Sequence, residues 1–402
     1  MMAQPAWDSV QSKADHQRLL HYVETLSFPL RRLIRLGLRY WPCVVHRVAT
    51  SPIVLESRNF AMSQQNLRFI IGVFCLLVSF ALSSISISPT HAQEKPETKS
   101  KPKADLPPGI TWEFDVPYIK DGDSAQRLDI YYPEQQPKES LPLIVHIHGG
   151  GWMGGSKYPC DVSRMTTQGY VVASVEYRFS QTAKFPAQIQ DCQAAIRWLR
   201  ANAQRYHLNP EKVGVIGGSA GGHLSALVGV TGGKKVFAAI GGNEDLSDAV
   251  QCVCDIFGPK NFASVMEQAG EDKNVKNVFK FNTPSDPYSE LIGAKLSDKE
   301  KTAAVSPISY VDKNSPPILI LHGTHDALVP FAQSEEFEAA MKKNGAPVWL
   351  QKFPGAGHGG GSFGKPSIIL LMKKFFDKYL QDADVKIELV PEAELAQEPP
   401  KQ

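Results

Sequence analysis

Apolar runs of strand length recur along the chain at 110–119, 127–132, 143–148, 170–177, 212–217, 249–257, 316–322 and 347–353. Rich in Val, Ile, Leu and aromatics and bounded by turn-forming residues, they predict eight strands. Between the later runs the apolar spacing changes to a helical one, predicting helices over Pro186–Tyr206, Ala220–Val230, Phe331–Asn344 and Pro366–Leu380. In the first of these, Ala187, Ile189, Ala194, Ile196 and Leu199 with Trp198 make an apolar stripe, and Pro186 suits a first turn. Two hairpin-forming strands followed by strand–helix alternation predict an α/β fold, a mostly parallel eight-stranded sheet with helices on both faces.

The pattern breaks in several places. Residues 231–248 and 260–305 are polar, Gly-rich or charged and read as insertions at the sheet's edge, forming a lid or substrate wall. Residues 93–108 are rich in Lys, Glu and Pro and read as a solvated linker. Residues 382–402, acidic and ending near Pro-Pro, read as a disordered tail. The folded domain is therefore expected over 109–381.

The N-terminal region reads as processing rather than fold. From Met62 a short stretch with one basic residue, Arg68, leads into an apolar run from Phe69 to Leu82, then to small polar residues ending Thr90-His91-Ala92. This is the build of a signal peptide over 62–92, with Met62 as the start and Gln93 as the mature N-terminus. It predicts a secreted or periplasmic protein without stable membrane insertion after cleavage. Residues 1–61 hold eight basic against four acidic residues, with Arg31, Arg32, Arg35 and Arg39 among leucines. They read as an untranslated or disordered extension, the alternative being an amphipathic helix on a membrane surface.

Composition narrows the function. Over 402 residues, 43 Lys and Arg balance 41 Asp and Glu, so no basic excess marks a nucleic-acid partner. Beyond the N-terminal region the cysteines are Cys160, Cys192, Cys252 and Cys254, open to three disulfide connectivities or to none. The oligomeric state is not legible.

The chemistry concentrates at strand ends. Val213–Ile216 runs into Gly217-Gly218-Ser219-Ala220-Gly221-Gly222 and then an apolar helix. A G-x-S-x-G turn between a buried strand and a helix is a nucleophile elbow, with Ser219 at a strained corner and the helix N-terminus favouring negative charge nearby. A phosphate loop is the rival reading, but no Lys follows as a P-loop requires. Upstream, Leu143–His148 ends in Gly149-Gly150-Gly151-Trp152, where backbone N–H groups reach a ligand unobstructed. Gly150 and Gly151, with Ala220, are the expected oxyanion donors. His146 and His148 share a strand face as a metal pair would, yet no third ligand is evident.

The base and its orienting acid come later. Ile318–Leu321 leads to His322-Gly323-Thr324-His325-Asp326, and Trp349–Phe353 leads to Pro354-Gly355-Ala356-Gly357-His358. The order Ser219, Asp326, His358 is that of α/β-hydrolases. For Asp326 a helix N-cap is the bland alternative, and Asp255 is the fallback acid. His322 and His325 suit the base less because they share Asp326's own loop. Gly360-Gly361-Ser362-Phe363-Gly364 and Gly355-Ala356-Gly357-His358-Gly359-Gly360 match nucleophile and dinucleotide motifs in form only. The first follows no buried strand, and no second strand completes the unit for the other.

Taken in order, HGGGW, Glu176-Tyr177-Arg178, the Phe185-Pro186-Ala187…Asp191…Trp198 helix, GGSAGGH, HGTHDALVP and PGAGH resemble the bacterial α/β-hydrolase esterases over about residues 110–380. The likeness is to the BD-FAE-like family of bifunctional feruloyl and acetyl-xylan esterases, related to the hormone-sensitive-lipase-like enzymes. It implies ester hydrolysis by Ser219, His358 and Asp326 with no cofactor and no metal. The partner is a small-molecule or polysaccharide ester. Gly258-Pro259-Lys260-Asn261 departs from the family's Gly-Pro-Thr-Asp, and 234–245 follows no family pattern. Two rival functions are a prolyl-oligopeptidase-like peptidase, disfavoured because no propeller-sized region precedes the domain, and a non-catalytic binding module, disfavoured because nucleophile, base and acid are all present.

Overall fold

The computed structural model describes residues 108–271, 275–283 and 285–397. The expected extension and signal segment, and the linker up to residue 107, lie outside these residues. Among the described residues no helix is long and apolar enough to cross a membrane.

Eight strands form one sheet in the order β1-β2-β4-β3-β5-β6-β7-β8. They are β1 (Ile110–Pro117), β2 (Arg127–Pro133), β3 (Leu141–Ile147), β4 (Val171–Val175), β5 (Leu208–Gly218), β6 (Cys252–Ile256), β7 (Ile318–Gly323) and β8 (Val348–Phe353). β1 and β2 pair antiparallel, β2 joins β4 antiparallel, and every later pairing is parallel. The helices are α1 (Ala187–Ala201), α2 (Ala220–Thr231), α3 (Val265–Glu271), α4 (Pro287–Ile292), α5 (Lys299–Val305), α6 (Ala332–Lys343), α7 (Pro366–Leu380) and α8 (Glu392–Leu395).

Successive strand residues point to opposite faces, and the chain buries both. On one face Leu143, Val145 and Ile147 of β3 and Ile318 and Ile320 of β7 pack with Leu224 and Leu227 of α2 and Phe337 and Met341 of α6. On the other, Ile144, Leu319 and Leu321 meet Ile368, Leu371 and Phe375 of α7. α7 shows why its sequence is helical: Pro366 sits in its first turn, and Ile368, Leu371, Phe375, Phe376 and Leu380 make one buried stripe. α2 is buried along its whole length, as a helix beneath the centre of a site must be.

One expectation resolves differently from its composition. Residues 382–397 are not a disordered tail. Ile387 and Leu395 are buried in the α7-side core. Gln351 of β8 exchanges hydrogen bonds with Val390, donating from Nε2 at 3.1 Å and accepting at Oε1 at 2.7 Å. Gln397 N–H reaches Pro354 O at 3.1 Å. Acidic residues dominate the composition of this segment, but a few spaced apolar residues suffice to seat it. The four cysteines of the domain are free and buried. Burial pushes the Cys160 thiol up to about 12, so it is inert as a thiolate.

Candidate active site

Ser219 occupies the corner between β5 and α2 with φ 57° and ψ −122°, outside the regions an L-residue prefers. Such strain persists only where the surroundings hold it. Here Ser219 N–H donates to Ile256 O at 2.9 Å, and Ser219 O accepts from His223 N–H at 2.9 Å. The corner is also tight: a Cβ on Gly221 would lie 2.0 Å from Ile147 O, so only glycine lets α2 start this close to β3.

The loop after β3 wraps the same point. Gly150 has φ +115°, and a Cβ there would lie 2.2 Å from Gly154 O. His148 anchors the loop's base, its Nε2 2.7 Å from Glu176 Oε1 and its Nδ1 2.7 Å from Gly149 O, with its ring stacked on Tyr177. His146 instead meets Ser174 Oγ at 2.9 Å. The two histidines are thus committed to separate partners, and among the described residues no group of three His, Cys, Asp or Glu side chains is arranged to hold a metal ion.

Asp326 and His358 come together from the ends of β7 and β8. His358 Nδ1 lies 2.6 Å from Asp326 Oδ2. Asp326 Oδ1 accepts the Leu328 and Val329 N–H groups at 2.8 and 2.9 Å. Burial by itself raises the Asp326 carboxyl, but hydrogen bonds from His322 and His358 outweigh it and hold the acid well below the usual carboxylate range. Asp255, the fallback acid, is committed elsewhere: it is fully buried in an ion pair with Lys260 at 2.5 Å and accepts Gly258 N–H at 3.0 Å. His325 bonds Thr324.

Ser219, Ala220, Gly150, Gly151 and His358 all line one cavity of about 640 Å³. Among the described residues no hydrogen bond joins Ser219 to His358, an arrangement common before substrate draws such a pair together. The cavity's walls are Trp152, Met153, Phe257, Pro259, Phe279, Pro287, Tyr288, Leu328 and Val329. Phe279, Pro287 and Tyr288 come from the 260–305 insertion, which is therefore a wall of the cavity. The 231–248 insertion contributes none of its lining; Phe237 packs instead on Phe185 and Tyr310. Sequence reading missed Phe257, whose ring faces the His358 imidazole, and the partnership of His322 with Asp326. An aromatic residue two places beyond Asp255 at a strand end was the only local signal for the first.

A parallel sheet flanked by helices on both faces, with a strained serine corner at its carboxyl edge, defines an α/β-hydrolase fold. Solved structures agree. A truncated carbohydrate esterase from gut microbiota is 32% identical, covering 67% of this chain and 96% of that one with a TM-score of 0.61. An esterase from Thermogutta terrifontis is 26% identical, covering 68% of this chain and 94% of that one, at 0.51. The BD-FAE family profile matches residues 128–341, and the chain belongs to that family. Esterase LipC of Mycobacterium tuberculosis is 31% identical over 59% of this chain, and this chain spans 57% of LipC's length.

Proposed function

We propose that this protein is an exported serine carboxylesterase. The observation that carries the reading is the opening of Ser219, at its strained corner, and of His358, whose Nδ1 meets Asp326, onto one apolar cavity. Ser219 Oγ attacks the ester carbonyl while His358 Nε2 takes its proton. Asp326 fixes the imidazole through Nδ1 and stabilises the imidazolium. The N–H groups of Gly150, Gly151 and Ala220 hold the developing oxyanion, each such donor being worth about 10²–10³ in kcat. His358 then protonates the departing alcohol oxygen; water, deprotonated by His358, attacks the acyl carbonyl, and His358 returns that proton to Ser219 Oγ as the acid leaves.

The cavity has no Lys, Arg, Asp or Glu among its lining residues, which suits an uncharged acyl group. With an export segment and relatives described as carbohydrate esterases, this supports acetyl or feruloyl groups on polysaccharides as the substrate class. The test compares acetate and ferulate release from acylated polysaccharide with cleavage of short p-nitrophenyl esters, with Ser219→Ala as control. Activity persisting in Ser219→Ala overturns the mechanism. Equal or poorer activity on carbohydrate esters overturns only the substrate class. Export is checked by N-terminal sequencing of the protein recovered outside the cytoplasm, expected to begin at Gln93. No observation favours the peptidase or binding-module reading.

A further inference from the structure

Asp326 Oδ2 carries two imidazoles, not one. His358 Nδ1 approaches it at 2.6 Å from the cavity side, and His322 Nε2 approaches at 3.1 Å from within the protein. His322 is fully buried and does not line the cavity, so it can touch neither substrate nor Ser219. We infer that His322 is a positioning residue that fixes the Asp326 carboxylate, and shares its charge, so that His358 is held in one orientation with a tuned basicity. The inference rests on the proposed roles of Ser219, His358 and Asp326.

The hydrogen-bond pattern assigns the tautomer. His322 Nε2 faces two acceptors, Asp326 Oδ2 and Val329 O, both at 3.1 Å, so this nitrogen carries the proton. Nδ1 lies 2.7 Å from Ser334 Oγ and accepts its hydroxyl proton. The neutral ring is thus satisfied at both nitrogens, and Ser334, itself buried, locks it. With the Leu328 and Val329 amides on Oδ1, the carboxylate has its acceptor sites filled and cannot rotate away from His358. Phe331 closes the ring from the side, centroids 5.4 Å apart. Besides the two histidines, the titratable groups around the carboxylate are the buried Tyr288 phenol, Glu335, which is paired with Lys352, Glu271, which lines the same pocket, and the adjacent His325, which bonds Thr324.

Removing the donor leaves the Asp326 charge less shared, which strengthens its hold on the His358 imidazolium. The acid limb of kcat/KM for a soluble ester then moves to higher pH. In His322→Phe, expected shifts are about half to one pH unit, with kcat lower by about tenfold and KM within about twofold. His322→Gln, which keeps an N–H donor, is expected to recover part of both changes. A structural role alone leaves the limb where it is, so an unmoved limb in a folded His322→Phe overturns the inference. If that variant fails to fold, ¹⁵N-histidine NMR of the wild-type protein decides. A proton on His322 Nε2 with Nδ1 bare is the expected state, and a proton on Nδ1 with Nε2 bare overturns it. Asp326→Asn separates the two readings. Full activity in it refutes the triad itself, whereas its inactivity beside an unaffected His322→Phe refutes only the role of His322.

Discussion

Phe257 holds its ring against the imidazole of His358, with centroids 4.3 Å apart and planes tilted by 49°. It does so from a positive φ of 44°, at the first turn after β6, and its other edge meets Phe363 at 5.3 Å. The ring therefore backs the glycine loop that carries His358 and, on the proposed mechanism, faces the imidazolium.

Replacing Phe257 by Leu removes this contact while keeping an apolar wall. Aromatic pairs of this kind contribute about 0.5–1.5 kcal/mol beyond area burial. The expected loss in kcat/KM is thus about 2- to 12-fold, read from steady-state kinetics on a short p-nitrophenyl ester.

Lys260, which departs from the Gly-Pro-Thr-Asp pattern of the resemblance, is buried completely beside Asp255, with Nζ also donating to Gly258 O. Lys260→Met strands the Asp255 carboxylate without its counter-charge. The expected cost is about 3–5 kcal/mol in denaturant unfolding. Lys260→Met combined with Asp255→Asn removes both charges while keeping an acceptor for Gly258 N–H, and is expected to regain most of that loss. Equal instability of the single and double variants refutes the pairing.

The 382–397 segment is expected to stabilise the domain. Leu395→Ala, at a site with no exposure, is expected to cost about 2–5 kcal/mol. Ending the chain after Gln381 also frees the Gln351 side chain that Val390 satisfies. Denaturant unfolding of both variants checks this, and an unchanged midpoint in either contradicts the packing.

What could be read in the sequence follows a physical boundary. The eight strands were legible as bounded apolar runs because most are buried on both faces, four of the helices because their apolar spacing is helical, and Pro366–Leu380 keeps its predicted bounds because Pro366 sets its start. β5 begins earlier than its apolar run, at Leu208, since Asn209-Pro210-Glu211 hide the signal while Leu208 pairs with Leu141. The candidates Ser219, Asp326 and His358 could be singled out because each sits in a local motif at a strand end. Phe257, Tyr288 and the tail were not, because their roles arise from contacts between segments far apart in the chain. Lys260 was visible as a departure, but nothing local says that a lysine is buried.

Acid should destabilise the fold from near neutrality downward. His223 donates from Nε2 to Val305 O at 2.8 Å and accepts Trp152 Nε1–H at Nδ1 at 3.2 Å, so a second ring proton would point at a donor. Burial lowers this histidine to about 3, with the nearby Lys260 charge adding to the effect against the Val305 bond. Burial likewise lowers His146 to about 4, with His148 adding to it. In the unfolded chain both titrate near the usual 6.5. Below that pH the unfolded state therefore binds protons that the native state refuses, and stability falls with pH until the folded values are reached. Each group contributes a slope of at most about 1.4 kcal/mol per pH unit. Asp326, depressed in the fold, adds a loss of the same sign only below the ordinary carboxylate range. Unfolding free energy measured between pH 7.5 and 4.5 should accordingly decline through about pH 6. His223→Gln, which cannot titrate, should flatten the decline, and a slope unchanged in that variant contradicts the assignment.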